Sequence, residues 1–200
     1  MKDRPGRIFD PGGARVVLDL VDDVRRLATE DYSIVVATRR YARHGVTVTS
    51  SYGVSFGFSK RDISKRIPLH TVTRTRESEI YAVIMGLKAV LDIIVSLDIR
   101  LAIIKVAQVY VLKMANEQAW ELEENEKRDV EERTLVQEVH KENSPSFSDL
   151  EARALLTFDC QACLELENKG VGVKFWLDER DSPMSNGAKW LAWSAVYNGT

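Results

Sequence analysis

The spacing of hydrophobic residues near the amino terminus differs from the spacing in the rest of the chain. Between Ala14 and Ala28, five apolar residues recur at short, mostly three- and four-residue intervals: Val17, Leu20, Val21, Val24 and Leu27. Such intervals place side chains along one side of an α-helix. Prolines and glycines, which form turns, precede this segment. We therefore expect residues 1–31 to be an amino-terminal extension that carries one amphipathic helix.

From residue 32 onward, short strands alternate with helices. The predicted strands are Ser33–Ala37, Val46–Thr49, Tyr52–Ser59, Ile67–Thr73, Leu101–Ala107 and Val171–Leu177. The predicted helices are Glu77–Ser96, Gln108–Glu121, residues 148–168 and Asn186–Tyr197. A strand, a helix and a second strand in succession require a parallel crossover. The order therefore predicts an α/β domain over residues 32–200, built on a mixed sheet flanked by helices.

Length and composition narrow the class of protein. The chain has 200 residues, of which 44% are hydrophobic and 29% charged, as in ordinary globular domains. It contains no apolar run of about 18 residues, so a transmembrane helix is not expected. Its start has no apolar signal-like segment. Two cysteines, Cys160 and Cys163, are too few for a disulfide scaffold. We expect an intracellular protein, cytoplasmic or nuclear, with no membrane partner.

The net charge of −2 conceals two segments of opposite sign. Residues 32–76 contain nine basic residues and one acidic residue, whereas residues 121–142 contain nine acidic and four basic ones. The acidic segment lies in residues 116–147, which we interpret as a charged helical arm and linker. The basic segment indicates a surface for a polyanion, or the ordinary charged edges of strands and helices.

Three strings resemble the fungal-type ribonuclease H domain, in the order in which that family carries them. Arg74–Leu87 reads RTRESEIYAVIMGL, and Ile103–Lys113 reads IIKVAQVYVLK. Lys169–Arg180 reads KGVGVKFWLDER and is followed by AKWLA at Ala188–Ala192. The resemblance covers roughly residues 32–198. It implies a ribonuclease H-like fold, with a five-stranded mixed sheet and helices on both faces.

The family hydrolyses the RNA strand of RNA–DNA hybrids with two Mg²⁺ ions held by four carboxylates. Its four carboxylate positions fall on Thr38, Glu79, Ala107 and Lys189, so one acid of four remains. Mg²⁺ requires hard anionic oxygens, and the resemblance therefore implies a catalytically inactive relative that binds no metal cofactor. The alternative is a hydrolase with an altered Mg²⁺ site, whose carboxylates come from Asp178, Glu179 or Asp181. Because Lys189 replaces an acid, we expect its ammonium to pair with Glu79.

Two groups of residues are candidates for binding a partner. The first could contact the phosphates of RNA, DNA or a hybrid and consists of Arg39, Arg40, Arg43, Lys60, Arg61, Lys65 and Arg66. The second is the pair Trp190 and Trp193, whose spacing on a helix indicates a protein interface, or rings that fold back onto the sheet. The amino-terminal helix is another candidate protein contact. A pure protein scaffold is therefore a further alternative function. The two cysteines lie in a helical pattern without further ligands, which favours packing over zinc binding.

Overall fold

The computed structural model describes residues 6–43, 49–57, 59–68, 75–113, 161–178 and 182–198. Their seven strands form one mixed sheet: β1 (Val16–Asp19), β2 (Val24–Leu27), β3 (Glu30–Arg43), β4 (Thr49–Ser55), β5 (Ile63–Arg66), β6 (Leu101–Val106) and β7 (Gly172–Leu177). The helices of these residues are α1 (Thr75–Ile93), α2 (Val109–Lys113), α3 (residues 161–168) and α4 (Pro183–Asn198). None of these helices is long and apolar enough to span a bilayer. The fold is mixed α/β, as predicted.

Strand β3 organises the sheet because it is long enough to have three partners. Along one edge, its first half pairs with β2 and its second half with β4, both antiparallel. Along the other edge, residues 33–37 pair in parallel with β6, which pairs in parallel with β7. Strand β5 pairs with β4 on the far side. The carboxyl ends of β3, β6 and β7 therefore lie at the same end of the sheet, which is where ligands bind in open α/β sheets.

The helices cover both faces of the sheet, because side chains of a strand point alternately to opposite faces. On one face, Ile34 and Val36 of β3 pack in a cluster with Leu87 of α1 and Leu166 of α3. On the other face, Val35, Ala37 and Ile103 pack with Met184 and Ala188 of α4. The residues of β3 after Ala37 continue this alternation. Successive side chains therefore face α1 and α4 in turn.

Two glycines permit close contact between helices and sheet. A Cβ on Gly53 of β4 would lie 2.1 Å from the carbonyl oxygen of Ala188 in α4. A Cβ on Gly86 of α1 would lie 2.5 Å from Cγ2 of Thr38 in β3. Both distances are shorter than those that real Cβ atoms show to the atoms packed against them. The two helices thus sit on the sheet at a separation that only glycine allows.

The prediction of an amphipathic helix near the amino terminus is wrong. Residues 16–27 form the antiparallel hairpin of β1 and β2, in which Val16 pairs with Leu27. Its turn is held by the Asp19 carboxylate, which accepts hydrogen bonds from the backbone N–H of Val21 and from Arg26 Nε, both at 2.9 Å or less. Leu20, assigned by the pattern to an apolar helix face, lies 85% exposed in this turn. Two short strands with a four-residue turn reproduce helical spacing by coincidence.

The prediction of five strands is also wrong, because β1 and β2 add two strands to the sheet. In addition, residues 6–9 lie along β7, where the N–H of Phe9 donates to the carbonyl of Phe175 at 2.7 Å. Of the strand predicted at Ile67–Thr73, residues 69–73 fall outside the described residues, and the described strand in this part of the chain is β5 at Ile63–Arg66. The predicted arm and linker at residues 116–147 fall outside the described residues, and so does Cys160. Cys163 is buried in the core beneath α1 and β3.

Candidate functional site

Glu79 and Arg40 meet where α1 begins and β3 approaches its carboxyl end. Arg40 Nε lies 3.6 Å from Glu79 Oε1. The Glu79 side chain is buried, whereas the Arg40 side chain is partly exposed. Arg40 Nε is itself buried and has no hydrogen-bond partner within the described residues. The two groups therefore interact as charges, while a buried N–H donor of Arg40 remains unused.

Burial changes the protonation of this site. It raises the pKa of Glu79 to about 7, because the loss of water outweighs the opposing attraction of Arg40 and Arg39. Tyr110 of α2 lies nearby, and burial, together with the Glu79 carboxylate, raises the pKa of its phenol. The guanidinium of Arg76 lies over the Tyr110 ring, 5.7 Å from its centroid. Near neutral pH, the Glu79 carboxyl is thus balanced between its neutral and charged forms.

The four positions matched to family carboxylates lie on β3, on α1, just beyond β6 and on α4. Thr38 is buried against Gly86, and its hydroxyl donates to the carbonyl of Lys105 at 3.3 Å. Ala107 lies half-buried just beyond β6, and Lys189 is exposed on α4. The predicted pair of Glu79 and Lys189 is therefore wrong. Glu79 belongs to α1 and Lys189 to α4, on opposite faces of the sheet, and Arg40 is the basic residue that reaches Glu79.

A second charged cluster lies on the α4 face and surrounds Asp178 at the end of β7. Lys105 Nζ lies 2.9 Å from Asp178 Oδ1, and Arg39 Nη2 lies 3.4 Å from Oδ2. The Ser182 hydroxyl donates to Oδ2 at 2.7 Å, and Arg39 also donates to the Ser185 hydroxyl. All three charged side chains are buried. Both carboxylate oxygens of Asp178 are thus engaged by the protein's own cations.

This cluster corrects the prediction that Arg39 contacts phosphates. The Arg39 side chain lies inside the protein, where burial lowers its pKa against the opposing influence of Asp178 and Glu79. Lys105 is held similarly, with its ammonium 4.2 Å from the centroid of the Trp176 ring. The sequence contains a signal for this cluster, since an apolar strand interrupted by Lys105 needs a counter-charge.

The other basic candidates fall into two groups at opposite ends of the sheet. Arg43, Lys65 and Arg66 lie near the carboxyl end of β3, where Arg40, Tyr52 and Lys65 are opposite one another on adjacent strands. Lys60 and Arg61 lie in the turn between β4 and β5. There, the backbone N–H of Lys60 donates to the carboxylate of Asp23 at 3.1 Å. The basic segment of the sequence is therefore not one continuous surface.

Arg66 is exposed, but its guanidinium also binds the carboxyl end of α4. Its Nε and Nη2 donate to the carbonyls of Ala195 and Val196 at 2.9 and 2.8 Å. These carbonyls lie in the last turn of α4, where the helix dipole favours a cation. At the other end of α4, Ser182 caps the helix, since its hydroxyl accepts the N–H of Ser185 at 3.2 Å, and Pro183 follows as the first residue. These contacts fix α4 against β3–β5.

An exposed aromatic cluster lies on the outer side of α4. Trp190 and Trp193 are 61% and 40% exposed, and Tyr197, one turn further, is 46% exposed. The rings of Trp193 and Tyr197 lie 4.6 Å apart between centroids. Tyr41 of β3 lies 6.3 Å from Tyr197, and the Arg43 guanidinium lies over the Tyr197 ring at 5.3 Å. We call these five residues the aromatic platform. The sequence indicated the two tryptophans but not the two tyrosines.

The described residues do not provide the ligands of a two-metal site. They contain no group of three or more His, Cys, Asp or Glu side chains placed to hold a metal ion. Of the acids at the carboxyl ends of the parallel strands, Glu79 faces Arg40 and Asp178 faces Lys105 and Arg39. Divalent cations prefer several free anionic oxygens. The donor set of the described residues therefore does not fit a pair of divalent cations.

Comparison with known proteins gives little further guidance. No protein-family model matches the chain, and no curated protein matches it. Among solved structures, it is similar to the N-terminal ribonuclease H domain of a Mycobacterium tuberculosis protein, solved as a fusion with maltose-binding protein. The two share 12% identity with a TM-score of 0.44, over 81% of this chain and 98% of that one. A functional assignment must rest on the residues of this chain.

Proposed function

We propose that this protein is a ribonuclease H-like module that binds nucleic acid without hydrolysing it. The observation that carries the proposal is the pairing of Glu79 with Arg40. Glu79 is the one acid at the four positions matched to family carboxylates. In a metal-dependent hydrolase, this carboxylate would face other carboxylates across a cation. Here it faces a guanidinium, which supplies the positive charge itself.

The composition of the site opposes hydrolysis by the family's mechanism. Thr38, Ala107 and Lys189 offer no carboxylate. Asp178, the described candidate for an altered metal site, would have to give up its contacts with Lys105, Arg39 and Ser182. Removing one member of such a buried group costs about 3–5 kcal/mol, because a charge is left uncompensated. Glu179 and Asp181 lie outside the described residues.

The basic residues near the same end of the sheet favour binding of a phosphate backbone. The Arg40 side chain is partly exposed, Lys65 is exposed on β5 in register with it, and Arg76 is exposed at the start of α1. Guanidinium groups form strong, paired hydrogen bonds to phosphate. A backbone that approaches this end of the sheet would therefore meet fixed cations where family enzymes place metals.

The proposal is tested by reversing charge at this end of the sheet. We expect the double variant Lys65→Glu, Arg76→Glu to bind an RNA–DNA hybrid at least about tenfold more weakly than the unaltered protein, as measured by fluorescence anisotropy at low salt. Affinity of the unaltered protein should fall with salt by roughly 0.9 log units per log unit for each phosphate neutralised, a slope established for B-form duplexes. The double variant should show a shallower slope.

The matched control is Lys169→Glu, because Lys169 is exposed just before β7, at the opposite end of the sheet. It should leave hybrid binding within about twofold of the unaltered protein. Equal losses in the control and the double variant would mean that only net charge matters, and the proposed surface would be wrong. Undetectable binding of the unaltered protein at low salt would contradict the proposal and favour a pure protein scaffold.

A further inference from the structure

We propose that the aromatic platform binds single-stranded nucleic acid by stacking unpaired bases on its exposed rings. This inference rests on the proposed function and specifies a second surface for it. The platform lies on the α4 face, whereas Glu79 and Arg40 lie on the α1 face. It is therefore distinct from the altered metal site.

The platform rings on α4 lie on the side of the helix opposite its buried alanines. Trp190, Trp193 and Tyr197 follow one another at intervals of three and four residues, which places them along one side of the helix. The opposite side of the helix is packed by Ala188, Ala192 and Ala195, all fully buried against the sheet. The large apolar surface on the outer side thus has no partner among the described residues. Solvent-exposed tryptophan in such a group is typical of a binding surface.

Three of the rings, those of Tyr41, Trp193 and Tyr197, hold one another in place before any ligand binds. Tyr197 contacts Trp193 on one side and Tyr41 on another, and the hydroxyls of the two tyrosines lie 3.4 Å apart. Arg43 covers a further part of the Tyr197 ring. Trp190 extends this group by one helical turn and has the most exposed ring. Because little freedom is lost on binding, such an array favours affinity.

The charges around the platform favour a polyanion over a protein partner. Helix α4 contains no Asp or Glu, and Lys189 is exposed beside Trp190. Strand β3 contains no acid after Asp31, and its last residue is Arg43. Aromatic rings next to cations, without acids, match the chemistry of a nucleotide, which has an aromatic face and a phosphate. Single strands are favoured over duplexes because the bases of a duplex are already stacked on each other.

The test measures binding of a fluorescein-labelled 15-nucleotide oligo(dT) and of oligo(U) of the same length by anisotropy. Trp190→Ala should weaken binding of both by about tenfold or more, the loss of one stacked base. Trp190→Phe should recover most of the affinity, since phenylalanine retains an aromatic face. Stacking should also quench the tryptophan fluorescence of the unaltered protein, and Trp190→Phe should reduce that quenching.

The matched control is Tyr32→Ala. Tyr32 is 43% exposed and has Arg100 over its ring at 4.5 Å, but it lies at the start of β3, at the other end of the sheet. It should leave single-strand binding unchanged. If Tyr32→Ala and Trp190→Ala weakened single-strand binding equally, the proposal that the aromatic platform stacks bases would be wrong.

The outcomes that would contradict base stacking on the aromatic platform differ from those that would contradict the proposed function. If Trp190→Ala binds single strands as tightly as the unaltered protein, the platform is wrong, whatever the hybrid assay shows. If the unaltered protein binds hybrid but not single strands, the platform is wrong and the proposed function stands. If Trp190→Ala abolishes a concentration-dependent dimer seen by sedimentation and leaves single-strand binding intact, the platform is a protein interface, and the proposal is overturned.

Discussion

At the scale of single residues, Glu79 is a buried acid that faces a basic residue. Its carboxyl is buried beside Arg40, and burial raises its pKa to about 7. A free glutamate titrates near 4.5. The folded protein therefore binds this proton more tightly than the unfolded chain does. The carboxyl stabilises the fold most at low pH, and this contribution is lost as pH rises through about 7.

We predict that this loss is visible in the pH dependence of stability. Between pH 5 and pH 8, the free energy of unfolding of the unaltered protein should fall relative to that of Glu79→Gln by up to about 3 kcal/mol, since each pKa unit corresponds to about 1.4 kcal/mol. Glutamine resembles the protonated acid at every pH. The loss of the charge that faces Arg40 therefore lowers the free energy of unfolding of Glu79→Gln by the same amount at every pH. Urea denaturation at a series of pH values measures the difference.

The control for this prediction is Glu165→Gln, because Glu165 is exposed on α3. It should retain the pH dependence of the unaltered protein. A pH dependence in Glu79→Gln equal to that of the unaltered protein would show that the Glu79 carboxyl does not titrate with a raised pKa.

Single residues also show where interpretation of the sequence fails. The exposure of Trp190 and Trp193 on α4 follows from their spacing and the alanines between and after them. The sequence could not show whether Lys189 or Arg40 reaches Glu79, because that depends on which face of the sheet each helix covers. It likewise predicted Arg39 as a surface cation, since the counter-charge Asp178 is 139 residues away. Long-range pairs between charged residues depend on the complete fold.

At the scale of elements, the periodic segments were predicted well and the amino-terminal hairpin was not. Helix α1 was predicted at Glu77–Ser96 and lies at Thr75–Ile93, because its apolar residues repeat over five turns. Strands β6 and β7 agree to within one residue. The hairpin of β1 and β2 is too short for its period of two to be distinguished from helical spacing. Only its pairing with β3 decides the matter.

The close contact of α4 with β4 leads to a prediction at this scale. Gly53→Ala should destabilise the protein by at least about 1–3 kcal/mol, the usual cost of overpacking. The added methyl group would meet the backbone of Ala188 and Ala192, which cannot rotate away as a side chain can. Thermal unfolding followed by circular dichroism measures the effect.

Gly172→Ala provides the control for this substitution. A Cβ on Gly172 would lie 3.6 Å from the carbonyl oxygen of Arg100, an ordinary contact. Its cost should therefore be well below that of Gly53→Ala. Equal melting temperatures for the two variants would mean that α4 does not lie as close to β4 as the structure places it.

At the scale of the whole molecule, the mixed α/β fold presents two candidate binding surfaces on opposite faces of its sheet. Near the carboxyl end of β3, Arg40 faces Glu79, and Lys65 and Arg76 add exposed positive charge. On the α4 face, the aromatic platform presents rings and cations without acids. The first surface suits a phosphate backbone and the second suits unpaired bases. We propose that the two surfaces together hold nucleic acid without cutting it.

The measurement that tests this claim most directly follows one hybrid through binding and recovery. An RNA–DNA hybrid with a labelled RNA strand is incubated with the protein at low salt in Mg²⁺ or Mn²⁺, the complex is isolated, and the RNA is run on a denaturing gel. The account predicts a stable complex from which the RNA is recovered at full length. Cleavage of the RNA that depends on the metal and is lost in Glu79→Ala would contradict this prediction.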